Sequence, residues 1–278
     1  AVASAASVLK IPIIHLHGGE ITEGAYDDAF RHAITKLSQL HFASTENYRQ
    51  RVIQMGENPE NVFNVGAIGI DNIKKLNLLS KTQLEQELDL KFLKYNYQVT
   101  FHPETLSELS AESQFQIVLD AIKQEEDSFF IFSKANADTD GRVINSMIDE
   151  FVKNNPNISK AFSTLGTLRF LSVLKVSDAI IGNSSSGIIE APSLGIATIN
   201  LGNRQKGRIQ AKSVINCKID TIEFKEVLEK TKDQNFKNEV VKNNKPYGEG
   251  NTTEKIMNIL KQTNFNLLKT KKFYDLKI

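Results

Sequence analysis

Apolar, β-branched runs alternate with segments of helical period along most of the chain. The apolar runs predict strands, and the segments between them predict amphipathic helices. Strands are expected at Ile11–Leu16, Val62–Val65, Gln98–Phe101, Ser128–Phe132, Ala179–Gly182 and Ala197–Leu201. Helices are expected at Asp27–Leu40, Asn47–Met55, Ser110–Lys123, Arg142–Lys153, Leu165–Val176 and Ile188–Leu194. Such alternation is typical of parallel sheets covered by helices on both faces, so we predict an α/β fold.

The alternation loosens between Asp71 and Lys94, a stretch rich in Leu, Lys and Glu without a strand-like run. We therefore predict residues 1–80 as the C-terminal half of a first Rossmann-like domain and residues 81–248 as a nucleotide-binding Rossmann-like domain. Residues 249–278 are predicted to form a C-terminal helical tail on the surface. The first ten residues lack the basic region of a secretory signal and indicate the second half of a helix that leads into a strand.

Composition narrows the functional class. The 278 residues include 34 basic and 33 acidic side chains and carry a net charge of +1, so no field favours a nucleic-acid partner. A single cysteine, Cys217, excludes an internal disulfide, and no apolar run approaches the ~20 residues of a membrane span. These features indicate a cytoplasmic enzyme.

The segment that follows the first predicted strand is rich in carboxylates and glycines. Gly18 and Gly19 permit a close approach of the backbone to a ligand, and Glu20 follows them directly. Asp27 or Asp28 is expected at the N-cap or first turn of the next helix. Carboxylates from a loop and a helix start can divide acid and base roles. Simple capping is the favoured alternative for an isolated Asp27, whereas a ligand role is favoured for Glu20.

His15 and His17 alternate along the first predicted strand and are expected to face the same side. A zinc site would require a further ligand, and only His32, His41 and His102 remain. No general metal spacing is completed by these residues, so a hydrogen bond to a neighbouring carboxylate is the favoured interpretation and no metal is predicted.

Polar turns follow three later strands. Ser184, Ser185 and Ser186 lead into the helix predicted from Ile188, and amides and hydroxyls at a helix start suit a diphosphate. For this turn alone, capping is an equal alternative. Arg204 and Arg208 follow the strand Ala197–Leu201, and guanidinium groups bind phosphate oxygens through paired donors. His102 follows Gln98–Phe101 and either joins this rim or is a turn histidine held by Pro103.

These segments, in order, resemble a known family. HxHGGE, DDxxRHAITKLxxLH, FHPET, KANADxDG, GNSSSGIIEAPSLG and INLGNRQKGR are similar to motifs of the hydrolysing UDP-N-acetylglucosamine 2-epimerases of the bacterial sialic-acid pathway type. The resemblance runs from about Ala1 to Asn216. It implies a GT-B fold of two domains, with the nucleotide held mainly by the second domain and the sugar facing the first across a cleft.

The resemblance also implies roles for single residues. Ser184 and Ser185 would contact the diphosphate, Glu190 the ribose and Arg204 the nucleotide end of the site. The implied catalytic groups are Glu20, Asp27 and His102. The sugar side would be completed or braced by His15, His17, Arg31, His32 and His41.

The chain departs from the family pattern in two places. A glutamate of the animal relatives is replaced by His17, and the loop before Asp27 is one residue longer, so the identity of the base stays open. The family's opening portion, on the order of a hundred residues, has no counterpart, so we expect an N-terminal truncation that leaves the first domain incomplete.

The implied reaction releases UDP from C1 while a proton leaves C2, and water then adds to the 2-acetamidoglucal to give N-acetylmannosamine. No cofactor is required, and a homo-oligomer, dimer or tetramer, is expected. The alternatives are an epimerase of a UDP-2,4-diacetamido-trideoxy sugar of the legionaminic-type pathway, a GT-B glycosyltransferase, a metal-dependent hydrolase and an inactive nucleotide-binding fragment.

Overall fold

The computed structural model describes residues 1–23, 27–104, 109–135, 141–242 and 245–276. Residues 136–140 of the KANADTDG segment and Thr105 of FHPET lie outside these ranges. No helix in the described ranges is long and apolar enough to cross a membrane.

The secondary structure alternates as the sequence predicted. In chain order the strands are β1 (Ile14–Leu16), β2 (Leu40–Ala43), β3 (Val62–Asn64), β4 (Tyr95–Thr100), β5 (Ser128–Ser133), β6 (Ser159–Phe162), β7 (Ala179–Gly182), β8 (Ala197–Leu201) and β9 (Val214–Cys217). The helices are α1 (Val2–Val8), α2 (Asp27–Leu37), α3 (Glu46–Gln54), α4 (Gly69–Lys75), α5 (Lys81–Leu88), α6 (Ala111–Ile122), α7 (Gly141–Asn154), α8 (Gly166–Val176), α9 (Ser185–Leu194), α10 (Thr221–Lys232), α11 (Gln234–Val241) and α12 (Thr252–Gln262).

The chain divides into two compact units. The first comprises Ala1–Thr22, Tyr26–Lys74 and Pro246–Ile278, and the second comprises Glu23–Ala25 and Lys75–Lys245. The sequence predicted a boundary near residue 80 and a separate tail from residue 249. In the structure, the C-terminal segment belongs to the first unit, because its apolar side chains join the core of that unit.

The first unit contains a three-stranded parallel sheet in the order β1-β2-β3. Leu40 and Phe42 of β2 pack with Ile256 of α12 and Leu268 in one buried cluster. Asp71 caps α12, since its two carboxylate oxygens accept the backbone amides of Thr252 and Thr253 at 2.9 and 2.7 Å. The C-terminal segment is therefore tied to this unit by apolar packing and by a helix cap.

The second unit contains a six-stranded sheet in the order β6-β5-β4-β7-β8-β9, and all its strands are parallel. Phe115 of α6 and Phe224 of α10 belong to the core on one face. Leu84 of α5 and Val173 of α8 pack with Ile131 of β5 on the other face. The predicted α/β fold with parallel sheets and helices on both faces is confirmed.

The strand order of the second unit reverses between β4 and β7. From β4 the chain builds outward through β5 to β6, and from β7 it builds in the opposite direction through β8 to β9. In open α/β sheets, ligands bind in the crevice at the carboxyl ends of the strands beside such a reversal. The residues that follow β4 and β7 are thus placed where a ligand site is expected.

Three short strands were not predicted. β2 has four residues, includes His41 and begins three positions after α2, so the helical pattern masked it. β6 and β9 lie at the two edges of the second sheet, where strands are less apolar. The first predicted strand was too long, because only Ile14–Leu16 pairs with β2; Pro12, within the predicted run, has no amide to donate.

Candidate active site

The second unit fixes the end of β4 through one buried amide side chain. Asn183, fully buried directly after β7, accepts a hydrogen bond at Oδ1 from the backbone amide of His102 at 2.8 Å. Its Nδ2 donates to the carbonyl of His102 at 2.7 Å. The backbone N–H and C=O of His102 are thereby both held at the reversal point of the sheet. The half-buried imidazole is therefore attached to a backbone whose position is fixed.

The loop after β8 is joined to the same place. Arg204 Nη1 donates to the carbonyl of Asn183 at 2.9 Å, and Gln205 Nε2 donates to the same oxygen at 2.8 Å. Glu104 accepts hydrogen bonds from the backbone amides of Asn203 and of Arg204, the second at 2.9 Å. The ends of β4, β7 and β8 therefore form one hydrogen-bonded rim.

The rim also includes the start of α9. The helix begins at Ser185, three residues before the predicted start at Ile188, because Ser184 is its N-cap and accepts the amide of Ser186 at 3.4 Å. Gly187 lies so close to β8 that a Cβ atom would be 2.6 Å from Thr198 Cγ2. The hydroxyls of Ser184 and Ser185, the first free amides and the positive end of the helix dipole suit an anion. Glu190 is half-buried one turn further along.

The first unit buries a carboxylate. The Glu20 side chain is 2% exposed, and its Oε1 lies 2.8 Å from His17 Nδ1 and accepts a hydrogen bond from Ser44 Oγ at 2.9 Å. Arg31 Nη1 lies 3.6 Å from Oε2. Gly19, which precedes Glu20, has a φ of 80° and room for no side chain, since a Cβ atom would lie 2.3 Å from the carbonyl of Tyr48. The backbone conformation at Gly19 thus places the buried Glu20 carboxylate beside Arg31, His17 and Ser44.

The two strand-end histidines have different partners. His15 Nδ1 lies 3.1 Å from Thr35 Oγ1, and its ring meets that of His41 edge-on at 6.4 Å. His17 follows the last residue of β1 and has a φ of 61°, which is not the conformation of a strand. The prediction that His15 and His17 face the same side assumed that both lie in the strand, and His17 does not. Within the ranges that the structure describes, no group of three or more His, Cys, Asp or Glu could hold a metal.

Burial keeps His15 neutral. Its pKa is lowered from 6.5 to about 4, chiefly because burial penalises the imidazolium, and further because His41, Arg31 and His17 are nearby. At neutral pH, His15 is therefore a hydrogen-bonding and packing group rather than a cation beside Glu20.

The two aspartates at the start of α2 differ in their surroundings. Asp27 is exposed at the first helical position. Asp28 accepts the backbone amide of Thr22 at 2.9 Å through Oδ1, and its Oδ2 lies 3.4 Å from His32 Nε2. Thr22 Oγ1 in turn accepts a hydrogen bond from Arg31 Nη2 at 3.1 Å. The predicted pair of Glu20 and Asp27 is thus complemented by Asp28, which connects to the Glu20 loop through Thr22.

Sequence reasoning missed several residues of these two sites. Asn183, Gln205 and Glu104 lie inside the motifs GNSSSG, GNRQKG and FHPET. The motifs indicated that these positions matter, but the sequence did not show which residues they hydrogen bond to. Ser44 follows β2, a strand that was not predicted, and no local pattern pointed to it.

A family model described as UDP-N-acetylglucosamine 2-epimerase matches residues 1–261. A Campylobacter jejuni protein named GDP/UDP-N,N'-diacetylbacillosamine 2-epimerase (hydrolyzing) is 38% identical over 276 residues, which cover 99% of this chain and 71% of that protein. The Escherichia coli polysialic acid biosynthesis protein P7 is 42% identical over 287 residues, with 99% and 70% covered. A Legionella pneumophila UDP-N,N'-diacetylbacillosamine 2-epimerase (hydrolyzing) is 36% identical over 265 residues, with 94% and 67% covered.

Solved structures share the fold. The UDP-GlcNAc 2-epimerase of Neisseria meningitidis bound to UDP-GlcNAc superposes with a TM-score of 0.76 at 21% identity, covering 94% of this chain and 72% of that one. The Methanocaldococcus jannaschii enzyme in complex with UDP-GlcNAc and UDP gives a TM-score of 0.74 at 19% identity, with the same two coverages, 94% and 72%. The predicted GT-B-like α/β fold is therefore confirmed.

Proposed function

This chain belongs to the UDP-N-acetylglucosamine 2-epimerase family, and on that basis we propose that it is a hydrolysing epimerase that converts UDP-N-acetylglucosamine to N-acetylmannosamine and UDP. The product would serve the synthesis of a sialic-acid-type nonulosonate. The observation that carries the proposal is the rim of the second unit, where Asn183 and the N-cap Ser184 stand at the reversal point of a parallel sheet. Such a rim suits a nucleoside diphosphate.

The rim supplies the stabilisation that the leaving group requires. When the C1–O bond breaks, its electron pair and the negative charge go to the diphosphate. We assign the binding of that charge to the amides and hydroxyls at Ser184 and Ser185 and to Arg204, with Glu190 at the ribose. Arg204 is held before the reaction by its hydrogen bond to the Asn183 carbonyl, and Ser184 is held as the N-cap of α9, so these groups need little reorganisation as charge develops. His102, held by its backbone, is assigned to the phosphate or leaving oxygen.

The first unit supplies the proton transfers in this proposal. The C2–H bond breaks as UDP leaves, and its electrons form the double bond of the 2-acetamidoglucal. We assign the removal of this proton to Glu20, with His17 at 2.8 Å as the group to which the proton can pass. Water then adds its hydroxyl to C1, and a proton returns to C2 on the opposite face. Asp27 is the second carboxylate of the predicted pair. Asp28, next to it in the chain, is the aspartate that contacts Thr22 and His32.

The remaining polar groups of the first unit are assigned to support. Arg31 neutralises part of the charge of Glu20 at 3.6 Å, and His32 faces Asp28 at 3.4 Å. The neutral His15 packs beneath Gly18, where a Cβ atom would lie 2.9 Å from its Nδ1. No step of this reaction needs a metal or a redox cofactor.

A second substrate has support of its own. The relatives from Campylobacter jejuni and Legionella pneumophila, at 38% and 36% identity, are named as epimerases of N,N'-diacetylbacillosamine nucleotides. An epimerase of a UDP-2,4-diacetamido-trideoxy sugar would use the same elimination and hydration. The two substrates differ at C4 and C6, away from the atoms that react.

One experiment tests the reaction and the substrate together. The protein is incubated in D2O with UDP-N-acetylglucosamine or with its diacetamido counterpart, and the products are followed by proton NMR. The proposal expects equal amounts of UDP and free N-acetylmannosamine with one deuterium at C2. Turnover of the diacetamido sugar alone would favour the second candidate. Sugar release without deuterium at C2 would contradict the epimerase mechanism and point to a glycosyltransferase, and binding of UDP without turnover would indicate an inactive nucleotide-binding chain.

A homo-oligomer and a cytoplasmic location also stay predictions. Native mass spectrometry of the purified protein tests the expected dimer or tetramer.

A further inference from the structure

A lysine near the C-terminus of the described chain caps the helix that carries Arg31. Lys271 Nζ donates to the carbonyls of Thr35, Lys36 and Ser38 at 3.3, 2.8 and 2.7 Å. These carbonyls lie in the last turn of α2 and just beyond it, where helix carbonyls lack intrahelical donors. A cation at this end also interacts favourably with the helix dipole. Lys271 therefore holds the C-terminal end of α2 by charge and by hydrogen bonds.

The same ammonium group contacts a buried carboxylate. The Glu57 side chain is 3% exposed, and its Oε2 lies 2.6 Å from Lys271 Nζ and 3.0 Å from His41 Nε2. Its Oε1 accepts a hydrogen bond from Lys36 Nζ at 2.7 Å. Burial raises the pKa of Glu57, but the hydrogen bonds from His41, Lys271 and Lys36 outweigh it and lower the pKa to about 2. Glu57 is thus ionised throughout the neutral range, and removal of one of its lysine partners would leave its buried charge less well compensated.

The backbone beside this cluster joins the C-terminal segment to the rest of the first unit. Tyr274 donates its amide to the carbonyl of Gly56 at 3.0 Å. The Phe273 ring lies against Gly56, which has a φ of 86°, and Lys36 Nζ lies 4.9 Å from the centroid of that ring. Lys271 is therefore held in register by its neighbours, and its ammonium group has a defined position.

Two short connections lead from the capped helix to Glu20. Arg31, on α2, lies 3.6 Å from Glu20 Oε2. Thr35, whose carbonyl Lys271 contacts, places its hydroxyl 3.1 Å from His15 Nδ1, and the His15 ring supports Gly18 in the loop that ends at Glu20. A shift of the end of α2 would displace the guanidinium group and the imidazole together.

We infer that Lys271 is a positioning residue for the epimerase reaction: by capping α2 and neutralising Glu57, it holds Arg31 and His15 where they orient Glu20. This inference rests on the proposed function, in which Glu20 removes the C2 proton. Lys271 itself touches neither the substrate nor the reacting atoms. Misplacement of a catalytic group by about 1 Å can cost on the order of a hundredfold in rate.

A change in the pH profile distinguishes positioning from simple loss of folded protein. The charged and titratable groups that face His41 are Glu57, Lys36, Lys271 and His15. Burial lowers the pKa of His41, Glu57 raises it, and the two lysines lower it. Removal of Lys271 therefore raises the pKa of His41, and an imidazolium forms beside His15 at a higher pH. The acidic limb of kcat should therefore move to higher pH.

The experiment compares Lys271→Ala and Lys271→Arg with a matched control, Lys272→Ala, whose exposed side chain is the next in the chain. We expect kcat of Lys271→Ala to fall about ten- to hundredfold with the acidic limb shifted. Lys271→Arg, which keeps the positive charge but not the compact ammonium group, should recover most of the lost kcat, and Lys272→Ala should match the unsubstituted protein. UDP affinity, which the second unit determines in this proposal, should stay within about twofold in all variants. Circular dichroism melting curves report whether the first unit, which contains Lys271, is folded.

Hydrogen exchange of residues 27–37 gives a readout that does not need turnover. The backbone amides in the last turn of α2 should exchange about tenfold faster in Lys271→Ala than in Lys272→Ala. If Lys271→Ala does not fold, Lys271→Gln takes its place under the same criteria. Unchanged kcat, or a lower kcat with an unshifted pH profile, would overturn the inference. If the unsubstituted protein converts neither sugar nucleotide, the proposed function fails, and unchanged exchange in α2 then overturns the role of Lys271 separately.

Discussion

Asn183 holds His102 through both ends of its side-chain amide, since it accepts the His102 backbone N–H at 2.8 Å and donates to the His102 carbonyl at 2.7 Å. An aspartate at this position keeps the acceptor and loses the donor, so the buried carbonyl of His102 would face a carboxylate. A buried group left without its partner costs about 1–3 kcal/mol.

The first prediction follows from this pair. Asn183→Asp should lower UDP affinity at least about tenfold, because negative charge is added at the rim and the end of β4 is released. Isothermal calorimetry with UDP measures the effect. Ser193→Ala, near the other end of the same helix, is the control and should bind UDP normally. Wild-type affinity in Asn183→Asp would show that the rim does not bind the diphosphate.

The second prediction concerns Glu20. Glu20→Gln keeps the size of the side chain and the bond from Ser44 but removes the base, so UDP release should fall by at least about a thousandfold. Binding of UDP-N-acetylglucosamine should persist. Rapid-quench measurement of UDP, together with calorimetry, separates the two effects. Near-normal turnover would remove Glu20 from the mechanism.

The third prediction compares the two aspartates of α2. Asp28→Asn weakens the contact with His32 and the charge near Thr22, whereas Asp27 is exposed and has no comparable contact among the described residues. If position decides their roles, Asp28→Asn should reduce kcat/KM by about tenfold or more and Asp27→Asn by about twofold or less. Steady-state kinetics of the two variants, purified in parallel, provide the comparison. The opposite order would support Asp27 as the second catalytic carboxylate.

The fourth prediction concerns stability and pH. The pKa of His15 is lowered from 6.5 to about 4 in the folded protein, so between these values the unfolded chain binds more protons than the folded one. As far as His15 is concerned, the free energy of unfolding is therefore highest above pH 6.5. It falls by on the order of 2–3 kcal/mol as the pH decreases toward 4. Urea unfolding at pH 4.5 and pH 7.5 measures the decline. His15→Gln, which cannot titrate, should show a smaller difference between the two pH values.

The fifth prediction concerns a buried amide in the second sheet. Gln98 is fully buried between Ile131 and Ile180, and neither polar atom of its side chain has a hydrogen-bond partner within the described part of the chain. Gln98→Leu should raise the free energy of unfolding by about 1 kcal/mol and the Tm by about 2–4 °C.

Gln114 is the matched control for this change. It is equally buried, but its Nε2 donates to the carbonyl of Leu109 at 2.8 Å. Gln114→Leu should therefore lower the Tm. Calorimetry of both variants decides the matter, and a lower Tm for Gln98→Leu would show that Gln98 has a partner that stabilises the fold.

The alternation of apolar runs and helical segments was sufficient to predict the α/β class and six of the strands. This succeeded because buried parallel strands need continuous apolar side chains, which is a local property of the chain. It failed at β2, where His41 interrupts a four-residue strand close behind a helix, and at the edge strands β6 and β9. In those places the strand is stabilised by its partners rather than by its own composition.

The sequence also indicated which turns carry chemistry. Ser184, Arg204 and His102 each follow a predicted strand, and the carboxyl ends of parallel strands meet at one edge of a sheet. Periodicity could not show that Asn183 joins these turns, because its contacts span positions 81 and 22 residues apart. Such contacts depend on the order of the strands.

The residue types, their periodicity and the ordered motifs were therefore enough to establish the fold class, the family resemblance and the acidic and serine-rich turns. Folding alone brought Lys271 to the end of α2, 236 positions from Thr35, and assembled a buried carboxylate with three basic side chains. The physical reason is that helix and strand preferences act over a few residues, whereas the charge state and orientation of a buried group depend on every segment packed around it.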